Sequence, residues 1–145
     1  MRRSIVLLIA LAGCIVACKN KNTATTSVSS TAKESYEYIN DKDTVKLSYT
    51  ANGNAITGTL KSVLSGTHKN TGTIEGIIKG DTIIVDYTVD PGQEKTSVRQ
   101  LAFLKKNGKL LEGYGPTETK DGKVVFTNTA NLKFIDAVTL SSTAK

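Results

Sequence analysis

The chain has 145 residues, with 19 Lys+Arg against 13 Asp+Glu, two cysteines, one histidine and no tryptophan, a length that suits one domain and one core. Its formal net charge of +6 is no nucleic-acid footprint. Arg2, Arg3, Lys19, Lys21 and Lys33 all precede residue 34, and taking those five from the total leaves 14 basic residues against 13 acidic ones, so the remainder has no basic bias with which to face phosphates. Both cysteines lie within the first 18 residues and the single histidine is His68, which excludes an internal disulfide in the folded part and leaves no expectation of a metal or cofactor.

In chain order, Met1-Arg2-Arg3-Ser4 is a short positive segment, and residues 5–17 are an apolar run interrupted by Gly13 and Cys14. A bilayer span takes roughly 20 residues; a run of this length matches the apolar region of a secretory signal. Lys19-Asn20-Lys21-Asn22 turns polar at once. Leu11-Ala12-Gly13-Cys14 and Ile15-Val16-Ala17-Cys18 each resemble the lipobox of bacterial lipoproteins. That resemblance implies diacylglyceryl transfer to the cysteine sulfur, cleavage just before it, and attachment to a membrane through N-terminal acyl chains. By residue type Cys14 has the cleaner match; Cys18 uses the whole apolar run and sets the lipid against the polar tract, and it is preferred, with Cys14 the alternative. Several acyl chains on one residue anchor durably, since each buried methylene contributes about 0.8 kcal/mol. Lys19 in place of aspartate after the cysteine implies, by the same resemblance, the outer membrane of a Gram-negative bacterium. Residues 1–17 thus read as a lipoprotein signal peptide. Residues 18–33, made of Lys, Asn, Thr, Ser and Ala apart from Val28, read as a flexible tether, and residues 34–145 as the folded domain.

The folded part opens near Glu34, where Tyr36 and Tyr38 alternate with Ser35 and Glu37 before Asn40-Asp41-Lys42-Asp43 turns the chain. Over residues 44–51, Val45, Leu47, Tyr49 and Ala51 share one face and Lys46, Ser48 and Thr50 the other, the period of a half-buried strand. Past Asn52-Gly53-Asn54 the inward set continues as Ile56, Gly58, Leu60, Ser62 and Leu64. Residues 65–72 read as a polar loop carrying His68 as a solvated side chain. Residues 73–89 organise the chain: two arms rich in β-branched residues flank Gly80-Asp81, a pair that turns easily. Ile74, Gly76 and Ile78 face in on the first arm, and Ile83, Val85 and Tyr87 on the second. Pro91-Gly92 marks residues 90–95 as a loop. A strand is expected over 98–105, with its facing open: Arg99, Leu101 and Phe103 compete with Val98, Gln100, Ala102 and Leu104. Asn107-Gly108 is a strong hairpin signal that returns the chain through 110–115. Asp121-Gly122 leads into a strand at 124–127. A short turn follows near 128–131, and 132–140 is apolar enough to add a closing strand or pack across one end.

The fold class expected is therefore all-β, an eight-stranded up-and-down antiparallel meander closing into a barrel, because closure removes the exposed edges of a run of hairpins. A two-sheet sandwich is the alternative. Gly58, Gly76, Gly113 and Gly115 fit the sharp coiling of a small barrel. With Gly76-Ile77-Ile78-Lys79-Gly80-Asp81-Thr82-Ile83 followed by Gly113-Tyr114-Gly115, residues 36–134 resemble the lipocalin-like and avidin-like barrels of small bacterial lipoproteins. The chain has neither the Gly-x-Trp of true lipocalins nor the tryptophans of a biotin pocket, so the resemblance implies an architecture and no ligand.

No Ser-His-Asp order or facing carboxylate pair is found, and no enzyme is expected. The first reading is a lipid-anchored structural or interaction barrel with a filled lumen and an envelope protein as partner. The alternative is lipocalin-like binding of a small apolar ligand in the lumen, with Tyr49, Tyr87, Arg99, Glu112 and Tyr114 as ligand-binding candidates. A tyrosine on a core face either fills a narrow barrel or lines a pocket, and filling is the preferred role. Arg99 and Glu112 read first as outward surface charges. If they face in they must pair, because an isolated buried charge is too costly, and they would then mark a spot for a ligand head group. Enclosed volume separates the two readings, a pocket on the order of several hundred Å³ favouring binding.

Overall fold

The computed structural model describes residues 32–65, 68–89 and 97–143. The leader with Cys14 and Cys18, the tether up to residue 31, the expected loop at 90–95 and the side chain of His68 lie outside the described residues. The strands are β1 (Ala32–Ile39), β2 (Thr44–Asn52), β3 (Ala55–Leu64), β4 (His68–Lys79), β5 (Thr82–Val89), β6 (Ser97–Lys106), β7 (Lys109–Tyr114), β8 (Thr117–Lys120), β9 (Lys123–Phe126) and β10 (Lys133–Ser142), with a 3-10 turn at Thr129–Asn131. From β1 to β7 each strand pairs antiparallel with the next, and β10 lies antiparallel between β7 and β1. Eight strands thereby close into an up-and-down barrel, and the sandwich alternative is excluded by the unbroken ring of pairings.

Alternation and turn chemistry explain the ring. The tight turns fall where glycine takes positive φ, at Gly53 (61°), Gly80 (60°) and, after Asn107 at 53°, Gly108 (72°), as two-residue hairpins demand. Leu47, Tyr49, Ile56, Ile74, Ile83, Val85, Leu110 and Leu140 are fully buried inside, each contributing about 1.5 to 3 kcal/mol of apolar burial. Lys46, Thr57, Thr59, Lys61, Thr73 and Glu75 face water. An apolar interior with a polar exterior is the inverse of a membrane-spanning barrel, which shows apolar residues to lipid. At Gly58 a Cβ would stand 2.0 Å from the Ser48 carbonyl oxygen, so the side-chain-free position lets β3 coil tightly against β2.

Several expectations need correction. Residues 124–127 are not a barrel strand: β8 and β9 form a hairpin on the outer wall, with β9 parallel to β6, and β10 supplies the eighth stave. The polar loop expected over 65–72 is shorter, because β4 starts at His68, and β1 begins at Ala32 rather than near Glu34. Gly113 and Gly115 do not serve barrel coiling. Gly113 lies outside the lumen under the Phe134 ring, 2.7 Å from where its Cβ would be, and Gly115 lies under Leu132. Phe134 and the buried Ala102 flank the Gly113 position, Leu132 and Phe126 the Gly115 position, and the hairpin is tied to the wall by Lys123 to Asp86 at 2.7 Å and by the Phe126 amide donating to Gln100 Oε1 at 3.2 Å.

The two ends of the barrel differ. The β2–β3, β4–β5 and β6–β7 turns share one end with the start of β1. There the Tyr36 hydroxyl and the Lys105 ammonium both donate to Glu34 Oε2, at 2.5 and 2.6 Å, while the Tyr36 and Tyr49 rings stack with centroids 6.2 Å apart. The buried Tyr36 and Tyr49 rings fill the lumen at this end as a plug. The opposite end carries the β1–β2 turn, the ends of β3 and β5, the starts of β4 and β6 and the β8–β9 turn.

Candidate functional site

At that opposite end the lumen is hollow, with a cavity of about 330 Å³ open to solvent. Its floor is apolar, made by Leu60 of β3, Leu101 and Phe103 of β6 and Leu140 of β10, with Val45 and Val138 on its sides. Polar groups complete the lining: Ser62, Asn70, Tyr87, Arg99, Glu112 and Tyr114, with Glu112 directly across from Phe103 in the β6–β7 register. Each is there because its strand alternates. Arg99 shares the lumen face of β6 with Leu101 and Phe103, which settles the facing that the sequence left open, and Glu112 and Tyr114 share that of β7 with Leu110.

Tyr87 stands directly across from Arg99 in the β5–β6 register. Its side chain is 95% buried, and its hydroxyl has no hydrogen-bond partner in the described protein. Burial raises the Tyr87 pKa above the ordinary phenol value, with the Arg99 charge pulling the other way. On the neighbouring wall the Tyr114 hydroxyl donates to Glu112 Oε2 at 2.8 Å. Burial first, then that bond and the Glu112 charge, push the Tyr114 phenol to about 12. Both phenols thus keep their protons at neutral pH and act as donors.

Of the five residues singled out from the sequence, Tyr87, Arg99, Glu112 and Tyr114 line one cavity, while Tyr49 does not. Tyr49 belongs to the plug, where burial above all, then the neighbouring Tyr36 and Glu34, raise its pKa. Arg99 and Glu112 both line the cavity, Arg99 while still exposed to water and Glu112 half-buried, and they make no ion pair: among the described residues the ion pairs are Lys46–Glu37, Lys105–Glu34 and Lys123–Asp86. Sequence reasoning placed Ser62 on the inward face of its strand without singling it out as a site residue, and missed Asn70 as a lining residue and Glu34 and Lys105 as inward charges. The period-two spacing of Lys105 from Phe103 was the available signal.

Among the described residues, clefts also lie on the outer wall. One, beside the hairpin, is bordered by Glu75, Asp86 and Lys123, the last two already paired. Another, about 550 Å³ and larger than the lumen cavity, follows the β10 bulge past Lys106, Phe134 and Asp136. None of the polar residues named along it is buried. Among the described residues no cluster of His, Cys, Asp or Glu is placed to hold a metal ion. Set against protein-family models, curated proteins and solved structures, the chain matches none of them. What the mouth can do chemically is enclose an apolar group and satisfy a polar one at its rim.

Proposed function

We propose that this protein is a non-catalytic, lipid-anchored binding protein of the cell envelope that holds a small, mainly apolar molecule in the open half of its barrel. The observation that carries the reading is the pocket itself: about 330 Å³, at the lower end of the roughly 300 to 1,000 Å³ usual for ligand sites, with Tyr87 and Arg99 among its lining residues. A filled lumen, the condition of the structural-barrel reading, is not what the mouth half contains. Native mass spectrometry of protein purified from its own envelope is the test. A retained small molecule, released when Val138→Trp fills the cavity, is the expected result; only the unliganded mass would overturn the reading in favour of recognition by the outer face, where Ile77 and Ile135 are exposed.

The anchor belongs to the same proposal. Its support is the apolar run ending at Cys18, with Cys14 the alternative, and the outer membrane of a Gram-negative bacterium is the address. Since β1 enters at the plugged end, a chain tethered there would present its mouth away from the bilayer. Cys18→Ser should release the protein from membranes, and unchanged membrane association would reject Cys18 as the lipidated residue.

A further inference from the structure

We propose that the molecule taken up by the mouth carries a single carboxylate, held at the rim by Arg99 and Tyr87 while its apolar body lies on Leu60, Leu101 and Phe103. This rests on the lumen-binding reading above and adds to it the chemistry of the head group.

The argument is a balance of donors and acceptors. Glu112 already accepts from the Tyr114 hydroxyl. Arg99 makes no ion pair among the described residues, and the Tyr87 hydroxyl, although 95% buried, donates to nothing in the described protein. The unused capacity is therefore donor capacity, on two side chains opposite one another in register on β5 and β6: Arg99 presents its donors at the exposed mouth, and the Tyr87 hydroxyl has to swing out of its buried position to add its own. An acceptor that takes both is an oxyanion, and a guanidinium beside a phenol suits the two oxygens of a carboxylate. Charge narrows it to one negative unit. Arg99 neutralises a monoanion, whereas a phosphate dianion would add uncompensated charge to a pocket that also contains Glu112. Along β6, Leu101 and Phe103 lie below Arg99 toward the plugged end, so the head stays at the rim and the chain points inward. A buried hydroxyl left unpaired costs stability, and a ligand that accepts from it relieves that cost.

The test is a calorimetric titration of the full chain with octanoate, octanol and octylamine, run in parallel on Arg99→Gln in the same preparation so that partition into any carrier cancels. Octanoate should bind best, and Arg99→Gln should weaken it roughly ten- to a hundred-fold, the worth of a hydrogen bond to a charged group, while octanol changes little. Glu112→Gln, nearly the same size and shape, should tighten octanoate. Equal binding of octanoate and octanol, with Arg99→Gln affecting both alike, would overturn the carboxylate and leave the lumen reading standing. A preference for octylamine that Glu112→Gln abolishes would overturn it in favour of a cationic head. Binding of none of the three would remove the lumen reading itself.

Discussion

Replacing Tyr87 by phenylalanine deletes one oxygen and changes little else, and the structure predicts that the unliganded protein becomes more stable. The hydroxyl is buried without a partner, and an unsatisfied buried group of this kind costs about 1 to 3 kcal/mol. Phenylalanine keeps the ring against the core and removes that cost, so a gain of about 1 kcal/mol is expected. For a domain near 100 residues this raises Tm by roughly 4 to 8 °C. The internal control is Tyr36→Phe. Tyr36 donates to the Glu34 carboxylate at 2.5 Å, and losing a hydrogen bond to a charged acceptor costs about 1.5 kcal/mol. Two chemically identical substitutions in one barrel should therefore move thermal and urea unfolding in opposite directions. A Tyr87→Phe variant destabilised by about 1 kcal/mol or more would show that its hydroxyl has a partner in the fold and would refute the reasoning on which the site rests.

Other consequences follow from the plug and the packing. Glu34→Ala should destabilise by about 1 kcal/mol in urea titration, because it leaves Lys105 and the Tyr36 hydroxyl without their shared acceptor; the pair is partly exposed, which keeps the figure low. Burial works to raise the Glu34 pKa, but the bonds from Lys105 and Tyr36 outweigh it and the net shift is downward. The plug's contribution is thus whole above the ordinary value of 4.5 and fades as pH falls through the lowered one, which Tm measured against pH on the acid side checks by its loss in Glu34→Gln. At the alkaline side the sign reverses: burial, then the Glu34 bond and charge, lift Tyr36 from 10 to about 12. Its contribution is whole below pH 10 and is lost between 10 and about 12, so unfolding and tyrosinate absorbance should rise together over that window. Gly58→Ala should cost about 3 kcal/mol, since its Cβ would stand 2.0 Å from a backbone oxygen; Gly113→Ala should cost less, because the Phe134 side chain that it meets can move.

Local chemistry made most of the barrel legible. Period-two alternation in β2, β3, β4 and β5 separates inside from outside wherever one face is apolar and the other polar, as with Val45, Leu47 and Tyr49 against Lys46 and Ser48. Glycine and Asn-Gly signals placed the turns for the same local reason, that few residues accept positive φ. The pattern goes silent where both faces are mixed. In β6, Arg99 and Lys105 lie on the apolar lumen face, while Ala102 and Leu104 lie on the outer one, so alternation alone has no preferred side. Ring closure was beyond it too. Whether residues 124–127 or the tail become the last stave depends on pairings with β1, which join Tyr36 to Ser142 and Glu37 to Ser141 from far along the chain, and on Phe134 finding the space left by Gly113. The same holds for the site. Alternation put Tyr87 on a core face, but only the tilt and closure of the strands determined that one end would be plugged by Glu34, Tyr36, Tyr49 and Lys105 and the other left open around Arg99 and Tyr87, because the volume between eight walls is a property of all of them together.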